Sequence, residues 1–336
     1  MLALTASICA AGERPRLEPL TGLPPDPPDN PTTPAKVQLG KKLFFETMMS
    51  GARGRSCGTC HKAELFFMDG LSLAWALHDG QIRRKTPGLL NVGWQRSLLL
   101  DGKIETLEEQ VAFPLKNHLE MDIDPALAAE RISRDAAYQQ LFAEVFPGEP
   151  ITFDLISKAI AAFERTLVSY DSDLDRYLLG DENALTPRAK RGMELFTGRA
   201  GCVSCHNGPL LTDHKLHYTG VPESRGGAQP GAKYKTASLR DVIRRSSYMH
   251  NGHYLLLEQV LAHYEMGGRA PEGVTAEISP RSLSNQDKED LMAFFFALNG
   301  RVEEWVDDPI PDNFSARPRA PEAAPAAPVN PNYVNK

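Results

Sequence analysis

Two short stretches decide how this chain folds, "CGTCH" at residues 57–61 and "CVSCH" at residues 202–206. Each has two cysteines separated by two residues and a histidine directly behind. Such a pair can clamp a zinc ion, form a redox disulfide or add across the two vinyl groups of a haem. The trailing histidine favours haem, because its imidazole can ligate the iron. Together the two copies use four of the five cysteines in the chain.

The spacing between the copies argues against the other two chemistries. A zinc ribbon has its two C-x-x-C pairs about 15 to 20 residues apart, and here most of a domain lies between them. A thioredoxin-type site needs a βαβ context, which this sequence lacks. We therefore predict two covalently bound haem c groups, with His61 and His206 as proximal iron ligands. The predicted attachment residues are Cys57, Cys60, Cys202 and Cys205.

Composition limits the class of protein. A chain of 336 residues is long enough for two domains, and its 42% apolar and 24% charged residues are ordinary for a globular protein. The net charge of −6, with no basic stripe, argues against nucleic acid as a partner. No run approaches the roughly 20 apolar residues that span a bilayer, so no membrane span is predicted.

The first residues, "MLALTASICAAGERP", combine a short apolar run with small residues and then polar sequence. This pattern is typical of the tail of a secretory signal, so residues 1–12 are interpreted as a signal-peptide remnant and the protein is expected in the periplasm. Cys9 is interpreted as a cleaved leader residue. Lipidation is the alternative, which Ile8 disfavours. In an oxidising compartment cysteines normally form disulfides, but here four of them are committed to the haem motifs.

An internal repeat surrounds the motifs. "TPAKVQLGKKLFF" precedes the first and "TPRAKRGMELF" precedes the second, and each combines Thr-Pro, a short helix and the pattern G-x-x-L-F. An aspartate, Asp69 or Asp213, follows each motif. We therefore predict an all-α fold of two cytochrome-c-like haem domains packed against each other, with irregular Pro-rich termini. The predicted parts are an extended lead-in at 13–32, domains at 33–180 and 181–305, and a Pro/Ala-rich tail at 306–336.

Two further helices are predicted from their apolar spacing. Residues at helical intervals through 156–167 indicate a long amphipathic helix that joins the halves. Near the end of the chain, Ser284 and Asp287 form a capping-box pattern before an apolar stripe, and Gly300 is expected as the stop.

Several longer stretches resemble the bacterial dihaem cytochrome c peroxidase superfamily, and within it the MauG-like branch. They include "RRKTPGLLNVGW", "DGKIETLEEQVAFPLKNHLEM" and "SLRDVIRRSSYMHNG", and the similarity runs in order over residues 30–300. The resemblance implies two cytochrome-c-like helical domains and a chemistry that starts from hydrogen peroxide at one haem.

The family pattern Q-x-x-x-P-x-x-x-x-x-E matches Gln110, Pro114 and Glu120. Splitting peroxide heterolytically requires a group that moves a proton from the near oxygen to the leaving one, and a carboxylate over an apolar haem face can do this. The resemblance implies Glu120 as this acid–base residue, Gln110 as a hydrogen-bond partner and Pro114 as the residue that keeps the pocket open. The alternative is that Glu120 is a solvated loop residue.

The second haem needs a distal ligand. On residue spacing alone, Tyr264 shares the buried face of a helix and is more often core than ligand. The resemblance reverses this, because peroxidases of the family have methionine at this position and MauG-like members have tyrosine. Met266 is a rival ligand, and His263 and Met249 are weaker ones. His250 is expected to bond a haem propionate.

The chain departs from the family pattern at two inter-domain positions. Relatives have a tryptophan between the haems where this chain has Leu100, and Trp94 is the nearest tryptophan. The asparagine that helps to hold an inter-domain calcium ion is replaced by Lys85, and the site's usual threonine and proline align with Arg245 and Ser247. In relatives the last two contribute through backbone carbonyls. A lysine there would repel calcium and supply an internal cation instead, so calcium is doubtful.

The loop after the first motif carries the third departure. Relatives that need reductive activation have a distal histidine at a position that aligns with Leu77, and His78 is its neighbour. If His78 stays away from the iron, the first haem is open to peroxide, which is our expectation. If a loop shift brings His78 to the iron, the enzyme needs activation first.

These features predict a periplasmic dihaem oxidoreductase that activates hydrogen peroxide at the N-terminal haem. Its high-valent dihaem state would oxidise a partner protein, with a tryptophan side chain as the expected target. One alternative is a cytochrome c peroxidase that takes electrons from a small cytochrome c or a cupredoxin. Another is an electron-carrier cytochrome without enzymatic activity, against which Glu120 and Gln110 speak.

Overall fold

The computed structural model describes residues 15–78, 80–82, 84–222, 231–269 and 273–302. The predictions made for the signal remnant, for Cys9 and for the tail at 306–336 lie outside the described residues.

Helices dominate the described part of the chain, and the sheets are two antiparallel pairs of two-residue strands. This confirms the all-α class. The α-helices are α1 Pro34–Phe44, α2 Cys57–Cys60, α3 Leu107–Gln110, α4 Ala112–Lys116, α5 Pro125–Ser133, α6 Ala136–Val145, α7 Phe153–Arg165, α8 Asp173–Leu178, α9 Pro187–Thr197, α10 Leu257–Glu265 and α11 Asn285–Phe296. The strands are β1 Ser169–Tyr170, β2 Leu216–His217, β3 Tyr234–Lys235 and β4 Arg301–Val302, with β1 paired to β4 and β2 to β3.

The helix starts follow the signals in the sequence. Thr33 and Thr186 are the N-cap residues of α1 and α9, and each directly precedes a proline. The side chain of each accepts a hydrogen bond from a backbone N–H in the first turn. Ser284 and Asp287 form the predicted capping box of α11. Helix α11 ends at Phe296, before Gly300.

Two large apolar cores form, one from each half of the chain. The first is built from residues between 37 and 167, and the second from residues between 174 and 298. Helix α1 packs on α7 in the first half, and α9 packs on α11 in the second. The division into two haem domains, and its boundaries at 33–180 and 181–305, stay predictions.

The internal repeat extends beyond the haem motifs, through residues 150 positions apart. The 3₁₀-helices Val92–Trp94 and Val242–Arg244 each follow a residue with positive φ, Asn91 or Asp241. Isolated β-bridges then join Leu98 to Ile104 and Tyr248 to Tyr254. Helices α3 and α10 begin at equivalent places, after the same loop. The two halves therefore share a loop–helix unit as well as a haem motif.

The linking helix is confirmed as α7. Its buried face includes Ile156, Ile160 and Phe163, all at most 1% exposed. Leu167 lies beyond the end of the helix but is equally buried.

Pro114 lies inside a helix. It is the third residue of α4, and the break lies earlier, between α3 and α4 at Val111. The reason is that proline has no N–H to donate to the carbonyl of Gln110, four residues before it.

The glycine of each G-x-x-L-F pattern lets two helices touch. A Cβ atom on Gly40 would lie 1.9 Å from the carbonyl oxygen of Ala159 on α7. A Cβ on Gly192 would lie 2.0 Å from the carbonyl oxygen of Asp290 on α11. Both distances are far below van der Waals contact, so neither helix pair can approach this closely with any larger residue.

Replacing Gly40 with alanine should therefore destabilise the protein by about 1–3 kcal/mol, because the helices must move apart. Thermal and urea unfolding of the holoprotein measure this loss. Gly54→Ala is the matched control, since a Cβ there meets nothing within 4 Å. Equal stability of the two variants would contradict the close-packing account.

Candidate haem and peroxide sites

Both motif histidines are held in the same way. The Nδ1 atom of His61 lies 3.0 Å from the carbonyl oxygen of Phe67, and that of His206 lies 3.0 Å from the carbonyl oxygen of Leu211. A carbonyl only accepts, so Nδ1 carries the hydrogen and Nε2 is the nitrogen suited to a metal. Burial lowers the pKa of both imidazoles, which favours the neutral form that a metal requires.

None of the four motif cysteines forms a disulfide. Burial raises the pKa of Cys57 to about 12 and that of Cys202 and Cys205 to about 11, and it raises the pKa of Cys60 as well. Thiols that resist ionisation are poor zinc ligands and poor redox nucleophiles. A thioether bond to a haem vinyl group carries no charge, so these surroundings suit haem attachment.

A cavity of about 300 Å³ lies in the second half of the chain. Cys202, Cys205 and His206 line it, and so does Tyr264 from α10. The donor set is therefore that of a covalently attached haem with a proximal imidazole and a phenol within the same cavity. The residues present fit the group that the motif predicts.

Among the rival ligands, Met249 also lines the cavity, whereas the side chain of Met266 is largely exposed. His263 is fully buried, and both its ring nitrogens are occupied. Its Nε2 donates to the carbonyl oxygen of Thr219 at 2.8 Å, so its Nδ1 accepts from the Tyr254 hydroxyl at 3.0 Å. These bonds leave His263 no nitrogen for iron.

Burial raises the pKa of the Tyr264 phenol, and the neighbouring Cys205 and Cys202 raise it further. A phenol in such surroundings ionises only when a cation compensates its charge. A ferric iron would supply that cation.

Glu120 is half-buried and lies near the first motif. Burial raises its pKa, although a hydrogen bond from Asn117 and the charges of Arg84 and Arg55 act in the other direction. The carboxylate charge in turn raises the pKa of the Cys57 thiol, which places it close to the first attachment site. A carboxyl group with a raised pKa can hold and release a proton closer to neutral pH.

The amide beside Glu120 comes from a residue that the sequence analysis missed. Asn117 Nδ2 donates to Glu120 Oε1 at 2.7 Å. Gln110, the expected partner, lies on α3, and among the described residues no hydrogen bond joins its side chain to Glu120. The sequence signal for this hydrogen bond was the spacing of three residues, which places Asn117 and Glu120 in one turn.

The position equivalent to Tyr264 in the repeat has a residue of different chemistry. Counting 150 positions from Tyr264 leads to Pro114 in the first half. Proline has no atom that can ligate iron, so the position that offers a phenol in one half offers none in the other. His78 does not fill this role, because its side chain is 71% exposed and lies 3.9 Å from an oxygen of Asp122.

Leu100, at the position of the expected tryptophan, lines the cavity of the second half. Its carbonyl accepts a hydrogen bond from the backbone N–H of Lys235 at 2.8 Å. The aromatic side chain next to it in this region is Tyr234, whose ring stacks on His250 with 4.0 Å between centroids. His250 also lines the cavity, where a haem propionate would lie. Trp94 is half-buried in the first half.

Lys85 lies where the resemblance would place calcium. Its ammonium group donates to the carbonyl oxygen of Ser247, one of the two carbonyls assigned to that ion. Burial lowers the pKa of Lys85 to about 7, and nearby Arg245 lowers it further, while Asp69 opposes the shift. The lysine nitrogen therefore contacts a carbonyl that the resemblance assigns to calcium.

Comparison with known proteins identifies relatives over most of the chain. The family described as "Di-haem cytochrome c peroxidase" matches residues 34–183. The chain is 39% identical to the methylamine utilization protein MauG of Methylorubrum extorquens, over 82% of this chain and 81% of the relative. It is 32% identical to the cytochrome-c peroxidase IdrP1 of Pseudomonas sp. strain SCT, over 94% of both. A solved MauG-like protein associated with microbial copper homeostasis aligns with a TM-score of 0.75 and 30% identity, over 88% of this chain and 95% of that one.

Replacing Tyr264 with phenylalanine should remove the phenolate signature of one haem, because the ring would keep its place without the ionisable oxygen. Low-temperature EPR and resonance Raman spectra of the ferric holoprotein measure this. Tyr254→Phe is the matched control, since that hydroxyl bonds His263. Unchanged spectra in the Tyr264 variant would exclude it as the ligand.

Proposed function

We propose a function on the premise that this chain belongs to the di-haem cytochrome c peroxidase family. It is a peroxide-dependent oxidoreductase with two covalently bound haem c groups. Beyond this, we propose that it withdraws electrons from a partner protein in the periplasm, as a MauG-like enzyme, with a tryptophan side chain as the target. None of the helices in the described part of the chain is both long and apolar enough to cross a membrane.

The proposed haem sites use the two motifs. Cys57 and Cys60 attach the first haem, with His61 as its proximal ligand. Cys202, Cys205 and His206 do the same for the second. The hydrogen bonds from both Nδ1 atoms to backbone carbonyls support this, because they orient each ring and raise its strength as a ligand.

The observation that carries the proposal is the position of Tyr264 in the same cavity as Cys202 and His206. A phenolate ligand stabilises the more oxidised states of iron. A phenolate ligand therefore suits a haem that stores oxidising equivalents. It does not suit a haem at which electrons readily enter the protein. The exposed His78 supports a first haem that reacts with peroxide without prior reduction.

Glu120 is the proposed acid–base residue. When bound, the first haem would supply the two electrons that cleave the O–O bond of hydrogen peroxide. Glu120 would take the proton from one peroxide oxygen and give it to the other, which leaves as water. Asn117 fixes the carboxylate by its 2.7 Å hydrogen bond. Gln110 remains the proposed amide donor to peroxide, and Pro114 the residue that leaves the distal side open.

The partner is oxidised at a distance, because a haem cavity admits peroxide and little else. Electrons from a partner protein bound at the surface would therefore pass through this protein to the haem sites.

The candidate with the next best support is a cytochrome c peroxidase that receives electrons from a small cytochrome c or a cupredoxin. The 32% identity to a cytochrome-c peroxidase over 94% of both chains supports this candidate.

Adding hydrogen peroxide to the fully ferric holoprotein, without reductant, separates these functions. We expect both ferric EPR signals to disappear together, with matching changes in the Mössbauer spectrum, because the two sites share the oxidising equivalents. If nothing reacts until one haem is reduced, the MauG-like proposal is wrong and the peroxidase with reductive activation takes its place.

Glu120→Gln should slow the reaction of the ferric protein with peroxide by about 10²–10⁴-fold, since an amide cannot shuttle the proton. Stopped-flow absorption of the haem bands measures the rate. The control is Glu109→Gln, which changes an exposed carboxylate in the same region. A rate within a few-fold of the control would remove Glu120 from the mechanism.

A further inference from the structure

Two lysines occupy equivalent positions in the repeat and reach across to each other's half. Lys85 Nζ donates to the carbonyl oxygen of Ser247, and Lys235 Nζ donates to the carbonyl oxygen of Ser97. Ser97 and Ser247 are also equivalent, 150 positions apart. Lys235 has a second acceptor, Gln95 Oε1, at 3.1 Å. Each half thus gives an ammonium group to the same loop of the other half.

Both ammonium-bearing side chains line the cavity that holds Cys205 and His206. Between 15 and 302, within the described ranges, no carboxylate oxygen lies within 4.0 Å of either Nζ atom. Burial lowers the pKa of Lys85 to about 7 and that of Lys235 to about 8. Backbone carbonyls satisfy hydrogen-bonding capacity but do not neutralise a buried positive charge.

The nearest candidate anion of the protein is already engaged. Asp69 exerts an attractive field on Lys85. Its Oδ2 atom accepts from the Thr86 hydroxyl at 2.6 Å, and its Oδ1 atom accepts from the backbone N–H of Leu71 at 2.9 Å. The charge of Arg245 opposes the ammonium of Lys85 further. Two half-buried amino groups therefore line this side of the cavity with carbonyl partners and, among the described residues, no carboxylate within 4.0 Å.

A haem c group carries two carboxylates, on its propionate side chains, whereas the iron balances the charge of the porphyrin ring. We propose that Lys85 and Lys235 bind the carboxylates of the haem in this cavity and, through Ser247 and Ser97, fix that haem to both halves at once. The inference rests on the proposed attachment at Cys202 and Cys205. It identifies carboxylate as the class of ligand that Lys85 and Lys235 bind. Neither lysine has a role in the proposed peroxide chemistry.

The arrangement has a consequence for the iron. Two ammonium groups beside the propionates offset negative charge close to the haem, and this disfavours the ferric state relative to the ferrous one. The loops that receive the lysines also carry Leu100 and His250, which line the same cavity. The lysines are thus positioning residues for the haem and for the loops on either side of it.

The test uses the holoprotein and its variants Lys85→Met and Lys235→Met, with no peroxide present. Spectroelectrochemical titration gives the midpoint potential of each haem, and the phenolate signature identifies the second one. We expect each variant to lower the potential of the second haem, and Lys85→Arg to restore it. Lys233→Met is the control, because Lys233 is exposed two residues from Lys235, and its potentials should equal those of the parent.

A loss of thermal stability with unchanged potentials would overturn the proposal, because it would make the lysines structural links only. If a methionine variant does not fold, redox-induced infrared difference spectra of the unmodified holoprotein decide the question. Uniform ¹⁵N labelling of lysine should shift ammonium bands that change together with propionate carboxylate bands. Absence of any such coupled band would overturn the proposal. Since no step needs peroxide, these results stand apart from those that test the enzyme's function.

Discussion

The structure depends on one hydrogen bond made twice, from the Nδ1 atom of a motif histidine to a backbone carbonyl in the loop that follows. This bond leaves Nε2 of His61 and of His206 as the metal-binding atom and fixes the direction in which each ring faces. The helices before the two motifs support the loops that follow. These helices, α1 and α9, pack on α7 and α11 by close contact at Gly40 and Gly192, where no side chain intervenes.

Duplication followed by divergence explains how one repeated unit serves two purposes. The same loop and helix start recur 150 positions apart, but the equivalent position holds Pro114 in one half and Tyr264 in the other. A proline has no atom that could ligate iron, whereas a phenol has one. Glu120 and its partner Asn117 belong to the half with the proline. The residues suited to peroxide chemistry and those suited to stabilising oxidised iron are therefore kept apart.

The charged groups also differ between the surroundings of the first motif and the cavity. On the side of the first motif, burial raises the pKa of Glu120, which suits proton transfer. On the side of the cavity, the half-buried Lys85 and Lys235 bond carbonyl oxygens of the opposite half. Under the proposal made above, the carboxylates of haem would balance their charge.

The sequence alone determined the parts that depend on local chemistry. The C-x-x-C-H spacing indicated haem attachment, the Thr-Pro and Ser-x-x-Asp patterns located the starts of α1, α9 and α11, and the apolar spacing located α7, because capping and amphipathicity act within a few residues. Tertiary structure decided what depends on distant residues meeting. It exposed Met266 and His78 and occupied both nitrogens of His263. It also placed Asn117 beside Glu120, and it brought Lys85 to Ser247 and Lys235 to Ser97 across the halves. None of these could be read from spacing, because each depends on which loop of one half faces which loop of the other.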